Sequence, residues 1–445
     1  MKLYEQLRKE EMPGSDLKEF LAQLPLTDIL DSWSSLTAEE HLQVFLNLPT
    51  DTKVDLVNEL SPPEQEHLIG LLSEQHIRAF LEGMEPDDVA DFMQAVNPEV
   101  RKAVWDNLSE EAKRETLFLL RFDEDDAAGI MTPRYLAVRS SISVSQAMNF
   151  VRKNVENVET VYYIYVIDET KRLTGVISIK DLLSAKDQAL VRDIMETQVI
   201  SVLDETDQEE AARILETYDL IALPVVDAYH RLLGIITFDD VIDVIREEHT
   251  EDTYRMGAIG GTATRYLDTS VFGLVKKRVP WLIILLLVGT ITTNVLHHYE
   301  SIILGAAFLF MFMPVIIQTG GNSGGQSATL MIRGLATEEI HTRDFWRILL
   351  KELVVGLLMG IITGAVILLR SYVLPPGVTI YQALTIGLSL TFVVLFSTVV
   401  GACAPLIIRR LGFDPTVMST PLMATLIDVC GLTIYFEIAR TLLNL

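Results

Sequence analysis

Apolar positions change their period several times along this chain. Up to about residue 125 they recur at helical spacing in short segments, as in HLQVFLNL and DVADFMQAV. Thr37 with Glu40 and Ser61 with Glu64 fit capping boxes, and Pro63 and Pro86 suit first-turn positions. Short helix pairs of similar size predict an α-superhelical array. Residues 131–245 then carry one pattern twice, with GVISIKDLL and GIITFDDVI 59 residues apart (Gly175 to Gly234). Each copy reads strand, helix, strand, turn, strand, helix. Helical spacing resumes in DDVIDVIREEHTEDTYRMG from Asp239. Beyond residue 270 come five apolar stretches: Val279–Leu296, Ile302–Gly320, Leu353–Leu369, Ala383–Ile408 and Thr416–Phe436. Each approaches or exceeds the ~20 residues that cross a bilayer as a helix.

The pattern therefore predicts an α-helical membrane protein with five transmembrane helices. They follow a cytoplasmic α-superhelical N-domain and an α/β tandem. Expected boundaries are 1–128 for the helical domain, 129–245 for the tandem, 239–268 for a connecting helix and 269–445 for the membrane part. Gly356, Gly360 and Gly364 repeat every four residues, which favours close helix packing. Lys276, Lys277 and Arg278 precede the first span. Arg333, Arg343, Arg347 and Lys351 lie between the second and third, and Arg409 and Arg410 between the fourth and fifth. This bias places the N-terminus inside and the C-terminus outside. An odd number of spans cannot make two equal halves in one chain, so a pore shared by two copies on a two-fold axis is plausible.

Charge sharpens the division. Residues 271–445 hold 11 Lys+Arg and 8 Asp+Glu; subtracting these from 36 and 61 leaves 25 against 53, a net of −28, for residues 1–270. Such a surface repels nucleic acid and attracts cations, although solubilising charge accounts for most single residues. Cys403 and Cys430 lie in apolar runs and suggest neither disulfide nor zinc. The opening MKLYEQLRKEEMPG lacks the apolar core of a cleavable signal. There is no HExxH, P-loop or GxSxG motif, so no enzyme is expected.

Asp428 sits mid-way along the fifth stretch with no Lys or Arg near it in sequence. A charge at that depth is costly, and it marks an ion path or a hydrogen-bonded helix contact. Two copies on an axis would repel unless a cation lay between them. The second stretch ends in QTGGNSGGQSATLMIRG. Its amides and hydroxyls supply neutral oxygens, and Gly320, Gly321, Gly324 and Gly325 permit close backbone approach or local unwinding. A loop at the membrane edge is the alternative. Hard oxygen donors of this kind suit Mg²⁺, which keeps its water; Mn²⁺, Co²⁺ and Ca²⁺ accept the same donors. In the linking segment Asp240, Asp243, Glu247 and Glu251 share a helix face, and Asp87 and Asp91 stand one turn apart. These are solvated faces or faces bridged by cations.

The tandem resembles a pair of CBS modules, which often bind adenine nucleotides. Their Ser/Thr-x-x-Asp element can hold ribose, and Ser178 with Asp181 and Thr237 with Asp240 match it; many such modules bind nothing. With GGNSGGQSATLMIRGLAT, LGFDPTVMSTPLMATLIDVCGLTIYF, PDDVAD, DEDDAAGIMTP and YYIYVID, nearly the whole chain is similar to the MgtE family of Mg²⁺ transporters. The resemblance implies a homodimeric channel in a cell (inner or plasma) membrane, with its pore on the dimer axis. Asp428 would bind hydrated Mg²⁺, Ala424 and Thr420 would line the filter, and Asn322, Gln326 and Gly325 would line the pore. Thr420 stands where some relatives carry Asn. The resemblance also implies a plug helix around Asp240–Asp252. It implies regulatory Mg²⁺ at Asp87, Asp91, Asp207, Glu209, Asp219, Asp240, Asp243, Glu248, Glu251, Asp252 and Asp414, and ATP as a regulatory ligand of the CBS pair. Arg246 and His249 interrupt the acidic run. A broader Mn²⁺/Co²⁺ transporter and a CBS-regulated carrier of another solute remain the alternatives.

Overall fold

The computed structural model describes residues 14–260, 266, 269–337, 339–375, 377–417 and 420–444. Readings that fall on 1–13, on 261–265 and 267–268 of the connecting segment, or on 418–419 of the fifth stretch lie outside the described residues. The chain divides into two compact units, Met1–Glu248 and His249–Leu445.

In the first unit, residues 14–119 form helices of eight to ten residues, from Gly14–Ala22 to Glu110–Leu119. Helices this short are marginal alone. Caps and a shared core hold them. The Thr37 N–H donates to Glu40 at 2.7 Å while the Glu40 N–H donates to the Thr37 hydroxyl at 3.3 Å. The Ser61 N–H and hydroxyl both donate to Glu64. Ile29, Val44, Phe45, Val57 and Phe80 are among the buried residues that form one continuous core.

The duplication is visible down to single residues. Strands β1 (Leu136–Arg139), β2 (Tyr163–Ile167) and β3 (Leu173–Ser178) form one sheet. Strands β4 (Val202–Leu203), β5 (Ala222–Val226) and β6 (Leu232–Thr237) form the other. In each, the first strand runs parallel to the second and the second antiparallel to the third. Gly175 faces Val166 and Gly234 faces Val225, with a register irregularity one step later in both. A Cβ at Gly234 would stand 2.7 Å from the Thr132 carbonyl, and one at Gly175 2.9 Å from that of Glu196. Thr132, at the start of the first copy, bridges Ile235 of the second, while Glu196, at the start of the second, bridges Val176 of the first. The copies therefore complete one another. The linking helix, Phe238–Met256, follows directly from β6.

The second unit is helical. Span one is Val271–His298, span two Phe308–Ala336, span three Phe345–Val373, span four Ile380–Arg410 and span five Thr420–Leu443. Among the described residues, four helices are long and apolar enough to cross a membrane, span two not among them. Span two has the length, 29 residues, but Gly, Ser, Asn and Gln interrupt its apolar run from Gln318 onward. Of the two uses open to its glycines, close backbone approach or local unwinding, the structure shows the first: the helix neither unwinds nor ends in a loop near Gly320 but continues unbroken to Ala336. Gly weakens a helix by ~1 kcal/mol relative to Ala, and tertiary packing offsets this. Gly320, Gly324 and Gly325 are buried, and Gly324 lies against Gly401 of span four. The stripe of Gly356, Gly360 and Gly364 packs on span four as its spacing predicts; Thr391 Oγ1 donates to the Gly360 carbonyl at 3.0 Å. Span one has no buried residue.

The Gly324–Gly401 crossing admits no side chain, since a Cβ on Gly401 would sit 2.2 Å from the Gly324 carbonyl oxygen. Gly401→Ala is expected to destabilise the detergent-purified protein by ~1–3 kcal/mol, the usual range for overpacking. Gly289→Ala, where nothing lies within 4 Å, should leave thermal unfolding unchanged or slightly raised. Equal midpoints for Gly401→Ala and the parent would contradict the close crossing.

Candidate functional site

Span two presents two unlike sides. Phe312, Ile316, Gly320, Ser323, Gly324 and Ser327 are buried, whereas Gln318, Asn322, Gln326, Thr329 and Arg333 are exposed along one stripe. Two buried polar pairs fix this rotation. The Ser323 and Thr398 hydroxyls stand 2.7 Å apart, and the Ser327 hydroxyl donates to Glu352 at 3.1 Å. Glu352 is only 8% exposed, a buried carboxylate that sequence reading missed. It stands beside Lys351 at the polar edge of the third apolar stretch, so nothing local marks it as buried.

Span five lies alongside. A Cβ on Gly321 would meet Ala424 at 3.7 Å, and one on Gly325 would meet Thr420 at 3.4 Å. Thr420, Ala424 and Asp428 follow one another at four-residue spacing and so share a face, and Ala424 and Asp428 are half-buried. The structure thus brings Gly325, Thr420 and Ala424 together, with Asp428 one turn beyond Ala424 and Asn322 and Gln326 on the adjoining stripe. Gly325 itself is buried and offers backbone only. Among the described residues Asp428 has no hydrogen bond and no ion pair. A cavity of about 440 Å³ elsewhere in the unit, between Leu353, Phe392, Phe396, Ile434 and Ile438, is wholly apolar and offers a cation no ligand.

In the soluble unit the acidic residues fall into separate groups. Asp87 is buried and its Oδ1 has no hydrogen-bond partner. Burial, then the charges of Asp240 and Asp88, push its carboxyl well above the usual range. Burial, then Asp239 and Asp88, push Asp240 up to about 6 against the opposing bonds from Thr237. Asp91 opens to solvent at the rim; desolvation of its inner side, then Asp88, Glu247, Asp240 and Glu124, raise its carboxyl. Glu159 joins them from the first CBS copy, raised by burial, by Glu85 and by Asp240 and Asp239. Arg134 offers a partial counter-charge, bonding Glu85 at 2.9 Å and Glu115 at 3.1 Å. Glu159, Glu85 and Asp88 were missed because nothing local distinguishes them; the fold alone assembles them.

The remaining expected ligands lie apart from this cluster. Asp207 caps the helix Gln208–Thr217 by accepting from the Glu209 N–H, and both are exposed. Asp219 is exposed at a turn with φ 51°. Asp243 pairs with Arg246 at 3.1 Å, and Glu248 accepts from Gln208 at 2.9 Å. Asp252 is half-buried, while Glu251 and Asp414 share Arg255. No three His, Cys, Asp or Glu converge as a metal cage among the described residues. Mg²⁺ asks for no such cage, since it keeps several waters and uses one or two carboxylates. The open oxygen of Asp87 fits that need. In the CBS pair, the Ser178 and Thr237 hydroxyls donate to Asp181 and Asp240 at 2.5 Å, and Ser178 also caps the helix Ile179–Ser184 by accepting from the Asp181 N–H.

These features define a multi-pass membrane protein of the transporter class, joined to a CBS-containing soluble unit. Residues 313–438 match the MgtE divalent cation transporter family, residues 24–125 the MgtE intracellular N domain, and residues 127–187 and 191–247 the CBS domain. A Thermus thermophilus protein named magnesium transporter MgtE is 40% identical over 96% of this chain and 95% of its own length. An Enterococcus faecalis protein of the same name is 31% identical over 95% of each. The crystal structure of the cytosolic domain of the Mg²⁺ channel MgtE in complex with ATP matches with a TM-score of 0.52 and 40% identity, covering 54% of this chain and 98% of that one. The chain belongs to the MgtE family.

The acidic cluster has a pH signature. A carboxyl raised on folding favours the protonated folded state, so stability is present at low pH and falls as pH rises from the ordinary carboxylate range of ~4 through the raised value of about 6 at Asp240. In chelator, residues 1–248 should therefore unfold at a lower temperature at about pH 7.5 than at about pH 5. Mg²⁺ should reverse the loss, and Asp87→Asn should flatten the profile and weaken the Mg²⁺ response. Thermal stability that rises with pH and ignores Mg²⁺ would contradict the cluster.

Proposed function

We propose that the chain conducts Mg²⁺ across a cell (inner or plasma) membrane past Asp428, and that Mg²⁺ on the soluble unit closes the path. The family is one of transporters rather than of enzymes. The observation that carries this reading is the polar stripe Gln318–Asn322–Gln326–Thr329, exposed along one side of span two while Gly320, Ser323, Gly324 and Ser327 are buried on another, and flanked by the Asp428 face. Amides and a carboxylate at bilayer depth need water or a polar partner. A second copy across a two-fold axis supplies the facing wall, and the pair of Asp428 carboxylates then requires a cation between them. Amide, hydroxyl and carboxylate oxygens touching the ion through its waters suit Mg²⁺.

Basic residues between spans put the N-terminus inside, where an inside-negative potential draws cations inward. The soluble unit then sees cytoplasmic Mg²⁺. Ions at the Asp87–Asp240 cluster offset its self-repulsion; when they leave, the carboxylates repel and the linking helix is released. The shift is limited to the difference in Mg²⁺ affinity between closed and open states. The ATP complex of the similar cytosolic domain supports ATP as a regulatory ligand held at Ser178 with Asp181 and Thr237 with Asp240. Asp240 would then serve both nucleotide and cation.

Flux into proteoliposomes tests the path. Asp428→Asn should cut initial Mg²⁺ uptake by at least tenfold, about 1.4 kcal/mol in barrier, with an unchanged elution profile. Undiminished uptake would remove Asp428 from its role. Mn²⁺ or Co²⁺ carried faster than Mg²⁺ would move the substrate to the broader divalent class.

A further inference from the structure

The resemblance implies a divalent ion near Glu251 and Asp414, but the side chains there are already engaged. Arg255, on the last turn of the linking helix, donates through Nη1 to Asp414 Oδ2 at 2.5 Å and through Nη2 to the Glu251 carboxylate. Asp414 also accepts from the Thr416 N–H at 2.8 Å and the Thr416 hydroxyl at 2.6 Å. Both Asp414 oxygens are thus in use, and the group between the two carboxylates is a fixed positive charge. A directly ligated Mg²⁺ does not fit beside it without displacing the guanidinium. Asp87 differs, with a buried oxygen left open.

We infer that Arg255 is a tethered counter-cation, a positioning residue that holds the end of the linking helix on the loop between spans four and five without metal. This rests on the reading of that helix as the gate. A guanidinium suits the task, being always charged and presenting a planar fork to two carboxylates. Glu251 lies one turn before it on the same helix, so the fork is pre-aimed. Asp414 sits just after span four and is held by its own cap to Thr416, so Arg255 grips a fixed point. Two backbone bonds continue the attachment: Ala258 N–H to the Arg255 carbonyl at 2.9 Å, and Gly260 N–H to the Lys277 carbonyl at 3.0 Å at the start of span one. Side-chain exposures of 43% for Arg255 and 33% for Asp414 leave the pair open to exchange. The tail of the gate therefore stays seated at low Mg²⁺, and the Mg²⁺-dependent part of the closure belongs to the Asp87–Asp240 cluster.

Hydrogen–deuterium exchange of the full-length protein in detergent reads this without transport. In the wild type, amides 252–258 should exchange equally in chelator and in Mg²⁺. In Arg255→Gln they should exchange about tenfold faster in chelator, a local opening of the helix end, and recover in Mg²⁺ as Glu251 and Asp414 take the ion. Arg255→Lys should recover part of the protection in chelator. Asp414→Asn, which can keep the Thr416 cap, should open as Arg255→Gln does but gain nothing from Mg²⁺. Wild-type amides that lose protection when Mg²⁺ is removed, or Arg255→Gln amides that match the wild type in chelator, would overturn the inference. A wild type without Mg²⁺ flux would count against the transport reading and leave the exchange comparison intact.

Discussion

A carboxylate carried mid-helix without a partner in its own chain constrains everything around it. Asp428 has neither ion pair nor hydrogen bond among the described residues, and its helix is apolar enough to cross a bilayer. Lipid cannot solvate that charge. The surroundings must provide water, an ion or a second protein surface, and the neighbouring helix is built accordingly. Its glycines let span four approach at Gly401, its serines bond inward to Thr398 and Glu352, and its amides are left outward. The buried pairs set the rotation of the helix, and that rotation puts Asn322 and Gln326 where an ion could meet them.

The soluble unit uses the same physics with the opposite sign. There carboxylates repel one another across short helices and the CBS pair, and the raised carboxyls of Asp87 and Asp240 express that strain. A cation lowers it; so does a proton. Where the linking helix ends, the chain supplies its own cation in Arg255. One helix thus carries two kinds of contact, crowded carboxylates at its beginning and an arginine-bound end.

Much of this was legible in the sequence because it is local or periodic. The 59-residue repeat foretold two sheets that share even their register irregularity, and Thr37 with Glu40 formed the capping box its spacing suggested. The stripe of Gly356, Gly360 and Gly364 packed as expected. Four apolar helices matched their hydropathy, and Asp428 declared itself by the absence of any nearby basic residue. What was not legible is nonlocal. Glycine chemistry in span two left close approach and unwinding both open, because the packing partner Gly401 lies far along the chain. Glu159 and Glu85 join the acidic cluster only through tertiary assembly. Nothing local distinguishes Arg255, whose pairing with Asp414 crosses 159 residues.

The central claim is that the Asp428 face borders water that Mg²⁺ occupies. The most direct measurement is modification of Ala424→Cys, one turn from Asp428, by a membrane-impermeant thiol reagent after Cys403 and Cys430 have been replaced. The account predicts rapid labelling that Mg²⁺ slows, while Leu426→Cys on the opposite face shows no such protection. A cysteine at 424 that stays unlabelled, or is labelled at the same rate with and without Mg²⁺, would contradict it.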